Sequence, residues 1–185
     1  MHRRSVLAAL GLSLSAGCSG PLGALGVETE RGGPTVTSDP VPDALRAAVD
    51  VAVTAGGNRR PVVVTVAVTN DTAETQSYRF GGAAPWSALD AQRGPNGANA
   101  VLAPGGRASE YAPDNAGRCA RATGHVRIPG ESVVRDLAPG STLTGRYALL
   151  APHDATDCLP AGTYRWRANT YLGNADWGFT LRLPD

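Results

Sequence analysis

The chain has 185 residues, 17 basic and 16 acidic, for a formal net charge of +1. Every basic residue is arginine, so side-chain Schiff-base chemistry is excluded, and the balanced charge leaves no basic face for nucleic acid and no acidic tail. Hydrophobic residues make up 42% of the chain, enough for one real core but not for several domains.

The first 18 residues fix the expected compartment. Arg3 and Arg4 precede a modest apolar run of about a dozen residues, too short to span a bilayer. Two adjacent arginines followed by Ser5-Val6-Leu7 resemble a twin-arginine export signal. Ser15-Ala16-Gly17-Cys18 resembles a lipoprotein cleavage box, with Ser15 where Leu, Val or Ile is usual and Leu14 one place early. Residues 1–18 are therefore expected to be a signal peptide, with Cys18 lipidated and the protein held at the extracellular face of the cell membrane. Removal of this leader leaves 15 arginines against 16 acidic residues.

Residues 19–43 are rich in Gly, Pro, Thr and Ser without periodicity and are expected to be a flexible linker. From residue 44 the pattern turns to period two. Val49, Val51 and Val53 alternate with polar or small residues, and 43–49 could hold one short helical turn. Residues 62–70 are dominated by β-branched side chains, with Val62, Val64, Val66 and Val68 on one face, which predicts a central strand. Asn70-Asp71-Thr72 turns the chain and is also an N-glycosylation sequon, so Asn70 is a possible glycosylation site. Residues 76–80 read as a shorter strand.

Residues 83–100 carry many turn formers, with Trp86 and Leu89 the only large apolar side chains. Trp86 is expected either to fold onto the core edge or to offer an exposed aromatic contact. Residues 100–102 and 126–128 read as short strands around a loop over 107–124. Residues 133–137 form another. Leu143, Tyr147 and Leu149 then share one strand face, and Thr144 and Arg146 the other. Over 163–172, Tyr164, Trp166 and Ala168 point inward and Arg165, Arg167 and Asn169 outward. Trp177, Phe179, Leu181 and Leu183 close the domain, with Thr180 and Arg182 outside.

Seven to nine short strands separated by Pro/Gly turns predict an all-β fold over 44–185, a two-sheet antiparallel immunoglobulin-like sandwich. Val64, Val66, Tyr147, Trp166 and Phe179 are the expected core. Leu-Ala-Pro-Gly occurs at 102–105 and 137–140; Pro-Gly turns at strand starts account for this without a duplication.

Cys119 and Cys158 remain after Cys18, and in an exported protein this even pair reads as a disulfide. Both fall in loops, so the bond would staple the sandwich edge, closing a loop worth about 4 kcal/mol in the chain-entropy account. Blue copper is excluded because the only methionine is Met1. His153, Asp154 and Asp157 share one loop and could hold a divalent metal, but solvated loop charges explain them better, and His125 reads as a plain surface residue. No Gly-x-Ser-x-Gly elbow, phosphate-cradling loop or paired-carboxylate motif is present. Hence no catalytic residue, cofactor or metal site is assigned, and the chain is read as not an enzyme.

Leader, linker and domain together resemble the twin-arginine lipoproteins of halophilic archaea, many of them of unknown function. The resemblance rests on Val68-Thr69-Asn70, Leu137-Ala138-Pro139-Gly140 and Cys158-Leu159-Pro160-Ala161-Gly162-Thr163-Tyr164. The domain is also distantly similar to the intracellular proteinase inhibitor domain over about 49–183. These resemblances imply a lipid-anchored domain with a non-enzymatic binding or structural role, whose partner is an envelope protein, a protease or a glycan. The alternative they imply is an inhibitor presenting 83–100 or 107–119 to a secreted protease.

Overall fold

The computed structural model describes residues 32–56, 61–86, 90–91, 93–105, 111–113, 120–126, 132–168 and 177–185. Eleven strands run in order through these residues: β1 (Thr35–Ser38), β2 (Ala48–Thr54), β3 (Val63–Thr69), β4 (Gln76–Phe80), β5 (Val101–Pro104), β6 (Tyr111–Pro113), β7 (Ala120–Ala122), β8 (Val133–Leu137), β9 (Thr142–Leu150), β10 (Gly162–Ala168) and β11 (Trp177–Leu183). The described helical structure is confined to two short 3-10 turns, Asp43–Leu45 and Pro95–Gly97. The fold is all-β, with antiparallel sheets packed as a sandwich, as the alternation predicts.

One sheet has four strands in the order β2-β3-β9-β5, and the other three in the order β1-β11-β10. The first is the A-B-E-D order of immunoglobulin sandwiches. The second departs from it, because β1 rather than β4 stands beside the final hairpin, and β4 pairs with β8 in a separate ribbon. The register places Val64 opposite both Val53 and Tyr147, and Val66 opposite both Val51 and Gly145. Period two then puts Val64, Val66 and Val68 on one face without exposed surface.

Against that face pack Tyr164, Trp166, Trp177, Phe179 and Leu181 from β10 and β11, all fully buried. Trp166 stacks on Phe179 with centroids 5.4 Å apart, and Trp86 meets Trp177 edge-on at 5.6 Å. Such aromatic pairs contribute about 0.5–1.5 kcal/mol beyond their buried area. Gly145 is required here. A Cβ at this position would lie 2.5 Å from Tyr147 Oη and 2.6 Å from Pro85 Cδ, so only glycine lets the Tyr147 ring lie flat over β9.

A second, smaller cluster forms on the opposite side of β5 and β9. Ala103, Ala148 and Leu150 point away from the main core and meet Ala122 of β7, with Ala120 and Val126 beside them. The stretch read as a 107–124 loop thus contains β6 and β7, a hairpin covering this apolar end. Val126 joins the cluster without lying in a strand, and 127–128 are outside the described residues.

The boundary of the linker also moves. Thr35–Ser38 pairs with β11 although it lies within the stretch expected to be a flexible linker. It holds because β11 offers an unfilled edge and because the next residue is pinned. The Asp39 carboxylate pairs with the Arg165 guanidinium, and Trp177 Nε1 donates to the Asp39 carbonyl at 3.0 Å. No helix among the described residues is long and apolar enough to cross a membrane.

Candidate functional site

Four polar regions bear on function, and the first corrects the sequence reading. Asn70 directly follows β3 and has no exposed surface. Its Nδ2 donates to the carbonyls of Glu74 and Leu137, both at 2.8 Å. Its Oδ1 accepts from the Thr72 backbone N–H at 3.0 Å and from Thr72 Oγ1 at 2.8 Å. The backbone bonds to Ser141 and Gly140 complete the set. Both amide hydrogens are therefore used, and Nδ2 faces protein, so in the folded domain Asn70 is a clamp between the β3–β4 turn and the β8–β9 turn. The possible glycosylation of Asn70 is not compatible with this placement, since the nitrogen that would carry the glycan is buried and hydrogen-bonded. The same three residues form an Asx turn, in which Oδ1 accepts the N–H two residues on and the Thr72 hydroxyl adds a second bond.

The second region is the loop after β4. Tyr147 Oη donates to the Ala83 carbonyl at 2.6 Å and accepts the Trp86 N–H at 2.8 Å. Trp86 is fully buried against Trp177 and Phe179, so of the two expectations for it, folding onto the core is the observed one. Burial raises the Tyr147 phenol well above its ordinary value, outweighing the opposite effect of the Trp86 N–H. Farther on, Ala91 N–H donates to the Ala100 carbonyl at 2.8 Å and Arg165 N–H to the Arg93 carbonyl at 2.9 Å. Leu89 lies outside the described residues.

The third region is the corner where β7 meets the end of β9. Arg121 of β7 bridges Ala151 in parallel; Ala122 N–H donates to the Ala151 carbonyl at 3.0 Å and Ala151 N–H to the Ala120 carbonyl at 2.9 Å. Two segments running side by side then each deliver a histidine a few residues on. The ring centroids of His125 and His153 are 3.9 Å apart, with planes at 59°. His153 Nδ1 lies 3.9 Å from Asp154 Oδ1. Arg121 Nη2 donates to the Thr156 carbonyl at 3.0 Å, tying the following loop to β7. Sequence reasoning treated His125 as a plain surface residue, and no local signal could have linked it to a residue 28 positions away.

His153, Asp154 and Asp157, weighed above as a possible metal set, do not form one. Among the described residues no group of three or more His, Cys, Asp or Glu stands where it could hold a metal ion. Asp157 accepts from Thr156 Oγ1 at 3.0 Å and is exposed, in keeping with a solvated loop charge. Cys158 is half-buried at the end of this loop and is not free. Cys18 and Cys119 lie outside the described residues.

The outer face of the three-stranded sheet is polar throughout. Register and alternation place Thr163, Arg165 and Arg167 of β10 beside Arg182 and Thr180 of β11, and Thr35 and Thr37 of β1 beyond them. Arg93 bridges Arg165 from the free edge of β10. Arg93, Arg167, Arg182, Thr35, Thr37 and Thr163 are all exposed. Arg165 is held in place by Asp39 and by Thr180 Oγ1, to which its Nη1 donates at 3.2 Å.

What these features define is a two-layer antiparallel β-sandwich with one arginine- and threonine-faced sheet and a paired-histidine corner. No family model, no curated protein and no solved structure matches the chain.

Proposed function

We propose that the chain is a lipid-anchored domain at the extracellular face of the cell membrane, with a non-enzymatic binding or structural role. The observation that carries the binding role is the exposed outer face of the β1-β11-β10 sheet, where Arg93, Arg167 and Arg182 stand among threonine hydroxyls. Guanidinium groups recognise carboxylates and other oxyanions bidentately, and the hydroxyls add donors and acceptors. That chemistry suits an anionic glycan or an acidic envelope protein better than an apolar ligand. The anchoring role is supported by Arg3-Arg4 and by Cys18, and the Cys119–Cys158 disulfide belongs to the same extracytoplasmic reading.

The decisive experiment uses the full-length protein in detergent against envelope polysaccharide and protein fractions. Binding that is lost in the Arg93→Glu, Arg182→Glu double variant, and that weakens with salt, supports the reading. Equal binding by that variant counts against it. Anchoring is checked separately by Cys18→Ser, which is expected to release the protein from the membrane fraction.

The inhibitor reading has its own support in the loop over 83–100. Tyr147 holds its start, Ala91 and Ala100 close on each other, and Arg93 is bonded to β10. A loop held at these points loses little entropy on docking to a protease and resists being cleaved. Inhibition of a secreted protease without cleavage of this loop would favour that reading; rapid cleavage there would remove it.

A further inference from the structure

The geometry of the β7–β9 corner points to a transition-metal site made by the two imidazoles of His125 and His153. They are the only histidines beyond the leader, and they come from different loops yet face each other with ring centroids 3.9 Å apart. An ion bound at about 2.0–2.1 Å from one nitrogen of each ring would set the centroids about 4.5–5 Å apart, so a small side-chain rotation from the observed contact brings a nitrogen of each ring to one ion. Asp154 approaches the Nδ1 side of His153 at 3.9 Å. That separation is beyond a hydrogen bond, so the carboxylate contributes a nearby negative charge that favours a bound cation.

Both rings are carried on fixed backbone. His125 is held between β7, which is bonded to Ala151, and Val126, which packs into the small apolar cluster. His153 sits in a turn closed by Ala155 N–H donating to the Pro152 carbonyl at 3.1 Å, and Arg121 ties Thr156 to β7. Little ordering is left to occur on binding. The site is also open: the His153 side chain is 31% exposed and that of Asp154 76%, so an ion can enter and keep several waters. Two imidazoles completed by water oxygens suit a borderline divalent ion, with Cu²⁺ bound more tightly than Ni²⁺ or Zn²⁺ and Ca²⁺ not at all. A bound ion would join the β6–β7 hairpin to the loop after β9.

The test uses the full-length chain in detergent carrying His2→Ala, because a histidine beside a free amino terminus is itself a copper ligand. The chain is titrated with Cu²⁺, Ni²⁺, Zn²⁺ and Ca²⁺ by calorimetry. We expect one equivalent of Cu²⁺ and no Ca²⁺ binding. His125→Ala and His153→Ala should each weaken Cu²⁺ by at least about tenfold, with Asp154→Asn having a smaller effect. Sub-stoichiometric Cu²⁺ should broaden the imidazole resonances of both histidines together. Circular dichroism of each variant establishes that the fold is kept, and His125→Gln repeats the test with less loss of volume. Undiminished Cu²⁺ binding by the His125→Ala, His153→Ala double variant, or no binding by the starting chain, would overturn the site and leave the rings as a simple stacked pair.

Discussion

The Asn70 knot and the His125–His153 corner are both polar clusters where loops meet, and they differ in one respect. Asn70 is closed: two donors and two acceptor bonds are all satisfied by protein, and no surface remains. The histidine corner is open, with ring nitrogens near water and a carboxylate at ion-pair distance rather than in a hydrogen bond. A polar group that is fully satisfied inside the fold holds the fold, and one left with free capacity at the surface can hold something else. Sequence pattern alone offered Asn70 as a possible glycosylation site and His125 as a plain surface residue, and in neither case could it register the distant segment brought beside it.

The largest effect is expected from breaking the closed cluster. Asn70→Ala removes both donors and strands the Leu137 and Glu74 carbonyls at a buried junction, at a cost of about 2–4 kcal/mol. Asn70→Asp should be nearly as harmful, since a carboxylate cannot donate. Urea denaturation of both variants checks this; a loss under about 0.5 kcal/mol would mean that the turns hold without the clamp.

Tyr147→Phe is a smaller version of the same break. It leaves the Trp86 N–H and Ala83 carbonyl without their shared hydroxyl and should cost about 1–3 kcal/mol. The same phenol sets an alkaline limit. Burial raises Tyr147 far above the usual tyrosine value and pushes Tyr164 up to about 12. Burial, then the Asp71 charge, raises Tyr78. The folded state thus holds these protons more tightly than the unfolded chain does. The resulting stability is complete below about pH 10 and is lost as pH rises through the folded values. Tyr147 dominates this loss, because its hydroxyl bonds are buried, whereas those of Tyr78 to the Arg46 carbonyl and of Tyr164 to the Pro160 carbonyl lie nearer water. Melting temperature should therefore fall steeply above about pH 10, and less steeply in Tyr147→Phe.

The open cluster should show the smallest effect on folding. His125→Ala and His153→Ala, measured without metal, are expected to change stability by less than about 0.5 kcal/mol, because His125 is exposed, His153 partly so, and neither leaves a buried partner unpaired. A loss of about 2 kcal/mol from either would make the corner structural, like Asn70, and erase the contrast.

Much of the sandwich was legible in the sequence because a strand's two faces are written in local alternation. Val64, Val66, Tyr147, Trp166 and Phe179 are expected in the core from period two alone and are buried. The short turn at Asp43–Leu45 also falls within the stretch expected to hold one, whereas that at Pro95–Gly97 has no such expectation behind it. Alternation says which way a side chain points, but not which strand it points at. The four-stranded order, with β3 beside β9 some 70 residues later, follows from how apolar faces of similar size close on one another.

The sequence by itself determined the all-β class, the strand faces and the Val- and Trp-rich core, since those depend on neighbours one or two residues apart. Only the tertiary structure decided that Thr35–Ser38 is a strand, that Asn70 faces inward and that His125 meets His153. β1 is short and polar and forms because β11 presents an open edge to it. Asn70 is buried because a second turn, at 138–141, lands on the first. The histidines meet because β7 runs beside Ala151. In each case the deciding hydrogen bond or contact joins residues far apart in the chain, where no periodicity of the sequence can register it.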